Sequence, residues 1–219
     1  MKNKLQNTFG CFFLVILMLL PVRRVYAQSE DFATWTGVKV SHKVAPRWSL
    51  SAATEFRSKD HLRKADRVSL NLGASCDVLS FLKFSGIYEL HYRNRGSDGW
   101  KFRHRYLIGP QASVKGGNFK FSLREYFQQT ISEGEAESRL RSRIKAEYVP
   151  TSWTLHPYFS AELYQPLGGE AFFSIARMRY RPGINVRISR KCSCDVFYCR
   201  QYEPVRSINI VGLEFLVRF

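Results

Sequence analysis

From Ser138 to Tyr148 every second residue is charged: Arg139, Arg141, Arg143, Lys145 and Glu147. Guanidinium groups grip carboxylates and phosphates in a two-pronged geometry, so a row of them can do one of two things. It can clasp internal carboxylates, or it can hold an acidic ligand. The same spacing recurs in Lys101, Arg103 and Arg105 and in Arg177, Arg179 and Arg181, with Arg124 and Arg187 in runs of similar character. Carboxylates placed to face them are fewer: Glu55, Asp77, Glu89, Glu147, Glu162, Asp195 and Glu214. The candidate ligand-binding set is therefore Arg103, Arg105, Arg124, Arg141, Arg143, Arg177, Arg179 and Arg181, with Glu89 and Glu162 as accompanying carboxylates. The ligand this chemistry suits is a small anion.

Catalysis has weaker support. His156, Ser160 and Glu162 share one face of an extended segment, and His91 stands beside Glu89 in another. Four residues of extended chain span about 13 Å, so His156 and Ser160 cannot form a nucleophile–base pair within their own strand. An enzyme of the lipid-modifying kind would have to assemble its site across strands, and no catalytic residue is assigned. Cys76, Cys192, Cys194 and Cys199 follow the N-terminal region. They read as plain free thiols, as a disulfide near the 189–194 turn, or as part of a metal site. The last lacks ligand spacing of a recognisable kind, and neither metal nor cofactor is called for.

Only one kind of element can position such residues. A helix would scatter alternate charges around its circumference, whereas a strand puts them all on one face. Eleven strand-like runs can be counted, at 32–44, 47–58, 66–78, 81–93, 100–114, 118–129, 137–149, 153–165, 172–188, 194–203 and 207–219. Most exceed the about 9–11 residues that a tilted strand needs to cross a bilayer, and soluble strands more often have about five or six. In 66–78, Val68, Leu70, Leu72, Ala74, Cys76 and Val78 alternate with Arg67, Ser69, Asn71, Gly73, Ser75 and Asp77. Turning such a strand over would set several charges in lipid, at about 2–4 kcal/mol for each Lys or Arg at mid-depth. The charged face therefore points into a lumen.

Connections alternate between short turns, such as Ala45-Pro46 and Leu79-Ser80, and longer polar loops at 58–66, 94–99, 130–136 and 165–171. Short turns belong on the periplasmic side of an outer-membrane barrel. That places Trp48, Phe119 and Trp153 in one aromatic girdle and Phe56, Trp100, Phe127 and Tyr164 in the other. Parity is awkward, because bacterial barrels have even strand numbers and eleven runs are visible. Ten to twelve antiparallel strands are expected, with a hidden strand before Trp35 favoured to give twelve.

The N-terminus carries Lys2 and Lys4, an apolar run from Phe12 to Leu20, and Val25-Tyr26-Ala27. This predicts a secretory signal peptide over 1–27 and a single barrel domain over 28–219. The segment contains Lys2, Lys4, Arg23, Arg24 and no acid, so 30 of the 34 basic residues remain against 18 acidic ones. So basic a chain suggests nucleic acid, but secretion and the alternation of its charges both argue against that partner. The last strand sets Val211, Leu213, Phe215, Val217 and Phe219 against Glu214 and Arg218, a pattern that barrel-insertion machinery reads. The expected location is the cell outer membrane of a Gram-negative bacterium, with its lipid as the surrounding partner.

Trp35 and Gly37, Arg47 to Leu50 leading to Glu55-Phe56-Arg57, the alternating Arg139, Arg141 and Arg143, Pro157-Tyr158 leading to Glu162, and Arg181 to Gly183 form a wider pattern. With Phe219, it resembles the outer-membrane barrel family catalogued as domain of unknown function 2490. The resemblance implies an outer-membrane barrel across nearly all of 28–219 and lends no activity. Three functional classes follow from the residues. The first is a structural or transport-like barrel whose basic lumen is largely filled by side chains, with an anion-preferring pore or acidic-ligand binder as its variant. The second is a small-barrel enzyme, and the third a soluble secreted β-sandwich or lipocalin-like binder.

Overall fold

A computed structural model describes residues 29–169 and 172–219, so the predicted signal peptide lies outside the described residues. Eleven strands form one closed barrel: β1 (Ser29–Lys43), β2 (Trp48–Lys59), β3 (Lys64–Leu79), β4 (Leu82–Asn94), β5 (Trp100–Gly116), β6 (Phe119–Ser132), β7 (Glu135–Tyr148), β8 (Leu155–Pro166), β9 (Arg177–Arg187), β10 (Cys192–Tyr202) and β11 (Arg206–Arg218). Every run seen in the sequence is a strand, although 172–188 shortens to Arg177–Arg187.

The expected twelfth strand does not exist among the described residues. Ten neighbouring pairs are antiparallel, and the barrel closes where β1 lies parallel to β11, from Ser29 opposite Arg206 to Ser41 opposite Arg218. The parity argument fails because it assumes antiparallel closure throughout. One parallel pair lets an odd number close, and it leaves Ser29 and Phe219 on opposite rims. We call the rim at Ser29 upper and the rim at Phe219 lower.

The loop asymmetry is also milder than the sequence suggests. β6 and β7 run on until only Glu133 and Gly134 join them, with φ of 55° and 87°. Two left-handed central residues match the twist of a tight hairpin, so the expected 130–136 loop collapses into a turn. The lower-rim connection at 149–154 is longer than that. Asp31 steadies the β2–β3 turn, its carboxylate accepting from the backbone N–H of Asp60 at 3.3 Å and of His61 at 3.0 Å.

Alternation assigns faces as expected. The exterior carries exposed apolar side chains on every strand, among them Val38, Leu50, Leu70, Phe102, Phe121, Ile144, Leu155, Ile184, Val196 and Val211. Trp48, Phe119, Trp153, Phe56, Trp100 and Phe127 are exposed on it near the rims or at mid-wall. Tyr164 is not. It is 2% exposed and points inward, because it shares parity with Glu162 on β8.

Inside, one row of paired residues crosses five neighbouring strands and alternates aromatic with glycine. Trp35 (β1) is opposite Gly212 (β11), which is opposite Phe197 (β10), then Gly183 (β9) and Tyr158 (β8). The glycines are required by close approach. A Cβ on Gly212 would fall 1.9 Å from the Phe197 ring, and one on Gly183 would fall 2.6 Å from the Tyr158 hydroxyl. Trp35 and Phe197 meet edge to face across Gly212, with centroids 6.3 Å apart, and join Ala33, Cys199, Ile208 and Ile210 in a buried apolar cluster.

Candidate functional site: a cation-lined vestibule above a packed septum

The middle of the barrel is filled by ionic clasps. Glu162 on β8 accepts from Arg124 of β6 at 2.6 Å, Arg141 of β7 at 3.0 Å, Arg179 of β9 at 3.5 Å and the Tyr164 hydroxyl at 2.7 Å. Tyr164 also bonds Arg179. On the far wall Glu89 holds Arg105 and His91, each at 3.0 Å, and Glu55 holds Arg57 at 2.5 Å with Arg67 at 3.7 Å. Register sets several of these pairings: Glu89 lies directly opposite Arg105, and Glu162 is flanked by the arginine rows of β7 and β9, while Arg57 and His91 sit two residues along the strand from Glu55 and Glu89. A buried charge needs such partners, since removing it from water is otherwise very costly.

Trp35 completes this septum. The Arg57 guanidinium stacks 3.5 Å from its ring centre and that of Arg179 lies 4.9 Å away. Arg181 caps the Phe197 ring at 3.4 Å while its guanidinium binds Asp195 at 2.6 Å and Glu214 at 3.3 Å. Cation–π contacts of this kind gain strength when shielded from water.

Above the septum a vestibule of about 270 Å³ extends toward the upper rim. Ten lysines and arginines line it against four carboxylates, namely Asp31, Asp66, Glu137 and Glu203. Most of the cations are paired: Arg93 with Asp66 at 3.3 Å, Arg177 with Glu203 at 2.7 Å, Arg139 with Glu137 at 2.5 Å. Arg103 differs. Among the described residues it forms no ion pair, its buried Nε has no acceptor, and Arg105, Arg93 and Arg95 repel it. On the connection between β10 and β11, burial alone would raise the Glu203 carboxyl, but the guanidiniums of Arg177 and Arg206 hold it below the usual carboxylate range.

Below the septum, a second chamber of about 200 Å³ lies against β1 to β4, with Glu55, Glu89, Glu214 and Lys39 on its walls. Lys39 and Arg143 also lack ion pairs among the described residues. The unfilled space is bordered by small residues, with Gly37, Ser51, Ala53 and Gly73 all on its wall.

The sequence-derived set thus divides by depth. Arg103, Arg105, Arg177 and Arg179 reach the vestibule, whereas Arg124, Arg141, Glu89 and Glu162 belong to the septum. Arg143 stands opposite Glu162 without bonding it, and Arg181 serves the Phe197 ring and Asp195. The set omits Arg57, Lys59, Arg67, Arg93, Arg139 and Arg206, all in the vestibule wall. Parity on 47–58 and 66–78 marks Arg57 and Arg67 as inward; Lys59 and Arg206 sit at strand ends, where alternation carries least information. Trp35 gives no signal of its place inside, since an isolated Trp fits an exterior girdle equally well.

His156 Nε2 donates to the Trp153 carbonyl at 3.2 Å, and no hydrogen bond joins it to Ser160 among the described residues. His91 is locked between Glu89 and Arg67. The four described cysteines are free, and no group of three or more His, Cys, Asp or Glu among the described residues could hold a metal ion.

A closed barrel of eleven long strands with this interior defines the class. The chain matches, over residues 32–211, the family described as protein of unknown function (DUF2490), and it belongs to that family. Trp35, Glu55, Arg57, Glu162, Arg181 and Gly183, which carry the resemblance in the sequence, all lie in the septum or the aromatic–glycine row. Comparison with curated proteins finds no match.

Proposed function

We propose that this protein is an outer-membrane β-barrel with a basic lumen, closed to free flow by its septum, that captures a small anionic ligand in its upper vestibule. Membrane placement is supported by the exterior, where large apolar side chains stay exposed on all eleven strands; in water so continuous a surface would be an association liability. The signal-like N-terminus and the alternating last strand ending in Phe219 fit delivery by the insertion machinery to the outer membrane of a Gram-negative bacterium. With the lower rim in the periplasm, the vestibule opens outward. Detergent-phase partition and flotation with vesicles test the placement, and recovery in the aqueous fraction would sink it.

The observation that carries ligand capture is Arg103, a charged side chain among like charges with a buried, unmet donor. An anion would supply the missing partner and relieve the repulsion. Calorimetric titration with pyrophosphate should show binding that weakens steeply with salt and is largely lost in Arg103→Gln. Equal affinity in that variant would remove the reading. The septum argues against an open pore, so planar bilayers should show no steady conductance for the wild type. An anion-preferring current should appear in Trp35→Ala, where the stack between Arg57 and Arg179 is removed.

A further inference from the structure

The exterior wall of β1 to β6 is hollowed. A cavity of about 850 Å³ follows two adjacent rows of paired residues that run from Val40 and His42 on β1 to Gln129 and Phe127 on β6. Its surface is almost entirely apolar, and its floor is small: Ala52, Ala74 and Gly86 come from three consecutive strands. The wall is thin here. Ser51, Gly73 and Ile87 line both this hollow and the interior chamber of about 200 Å³, and Ser51 and Gly73 add little bulk between the two. An ideal Cβ on Gly86 would meet nothing within 4 Å.

Dimensions and charge specify the occupant. Six strands at about 4.8 Å spacing make the hollow about 24 Å long. It runs across strands that tilt by about 40°, so it climbs about 15 Å, half of the roughly 30 Å hydrocarbon core. One acyl chain spans that depth. The rows start at the lower rim beside the β1–β2 turn, where Arg47 in the turn and Lys43 at the strand end, which reaches the outer wall only over the rim, are exposed and, among the described residues, form no ion pair. We propose that the hollow is a lipid site: it seats one acyl chain of an anionic phospholipid from the leaflet at the lower rim, with the phosphate held by Lys43 and Arg47. The site rests on the membrane placement proposed above and is independent of the vestibule. Leaving a groove empty in hydrocarbon forfeits dispersion contacts, which is the drive for seating a chain in it.

The test uses the full barrel in phosphatidylcholine vesicles doped with phosphatidylglycerol bearing a photoactivatable acyl chain. Flotation reads the placement separately. Cross-links should concentrate on segments 50–52, 72–74 and 86–88 relative to the exterior of β8 to β11; even labelling around the wall would overturn the site. Gly86→Leu fills the hollow into open space and should lower those cross-links about tenfold, the effect of withdrawing roughly two methylene groups from contact. Unchanged labelling in that variant would also overturn it. Lys43→Gln combined with Arg47→Gln should abolish the preference for the phosphatidylglycerol probe over an uncharged diacylglycerol probe. A preference that persists would remove the phosphate contact from the proposal.

Discussion

Two arcs of the same wall can be set side by side. Across β8 to β11 and β1, an interior row reads Tyr158, Gly183, Phe197, Gly212, Trp35; across β2 to β4, another reads Ser51, Gly73, Ile87. Both obey one two-residue alternation, and both turn their apolar partners outward. In the first arc, each aromatic ring lies over a neighbouring glycine and guanidiniums stack on the rings, so the interior is filled. In the second, Ser51 and Gly73 leave the lumen unfilled beside Ile87, and cavities lie back to back on the two faces of a thin wall. Alternation decides which way a side chain points, and volume decides whether the space it points into is closed. The septum therefore hangs mainly from one side of the barrel, with Arg105, Glu89, Glu55 and Arg57 meeting it from the other.

The contrast is most exposed to test at Glu162. Removing this carboxylate leaves Arg124, Arg141 and Arg179 buried with like charges for neighbours. Glu162→Ala should lower the stability of the folded barrel by about 3–5 kcal/mol, whereas Ser75→Ala on the hollow arc should stay within about 0.5 kcal/mol. Urea unfolding followed by heat-modifiable electrophoretic mobility measures both, and similar losses in the two variants would erase the distinction between the arcs.

The glycines give a pair of opposite sign. Gly212→Ala forces a methyl into the Phe197 ring and should cost about 1–3 kcal/mol by overpacking. Gly86→Ala meets open space and, with no left-handed φ to violate, should be neutral or stabilise by about 0.4–1 kcal/mol through the unfolded chain. A loss at both positions would show that the thin wall is as tightly packed as the aromatic row.

The smallest effect is at the upper rim. The Glu203 carboxyl is held below its ordinary value by Arg177 and Arg206. Its stabilising contribution is therefore complete above the unfolded-chain value of about 4.3 and fades as pH falls through the lower folded value. The stability gap between wild type and Glu203→Gln should narrow on acidification below that value. A gap that widens would mean the two guanidiniums do not act on this group.

Much of this was legible in the residues alone. The run from Arg139 to Glu147 can only be one-faced as a strand, and the same reasoning correctly turned Arg67, Glu89, Arg105, Glu162 and Arg181 inward. Tyr164 departs from the girdle expectation because parity with Glu162, and not aromatic character near a strand end, decides its face. Closure was misread because parallel pairing leaves no mark on the alternation: Trp35 opposite Gly212 looks the same in sequence whichever way β1 runs.

The facing of most strand residues was thus set by local pattern, since a strand's pleat reverses direction at every residue whatever its neighbours do, whereas the number of strands was not. Which guanidinium binds which carboxylate, why Arg103 has no ion pair among the described residues, and where the wall is hollow were decided only when eleven strands closed on one another. Those features depend on register between strands, and on volumes summed across the lumen, that no single segment contains.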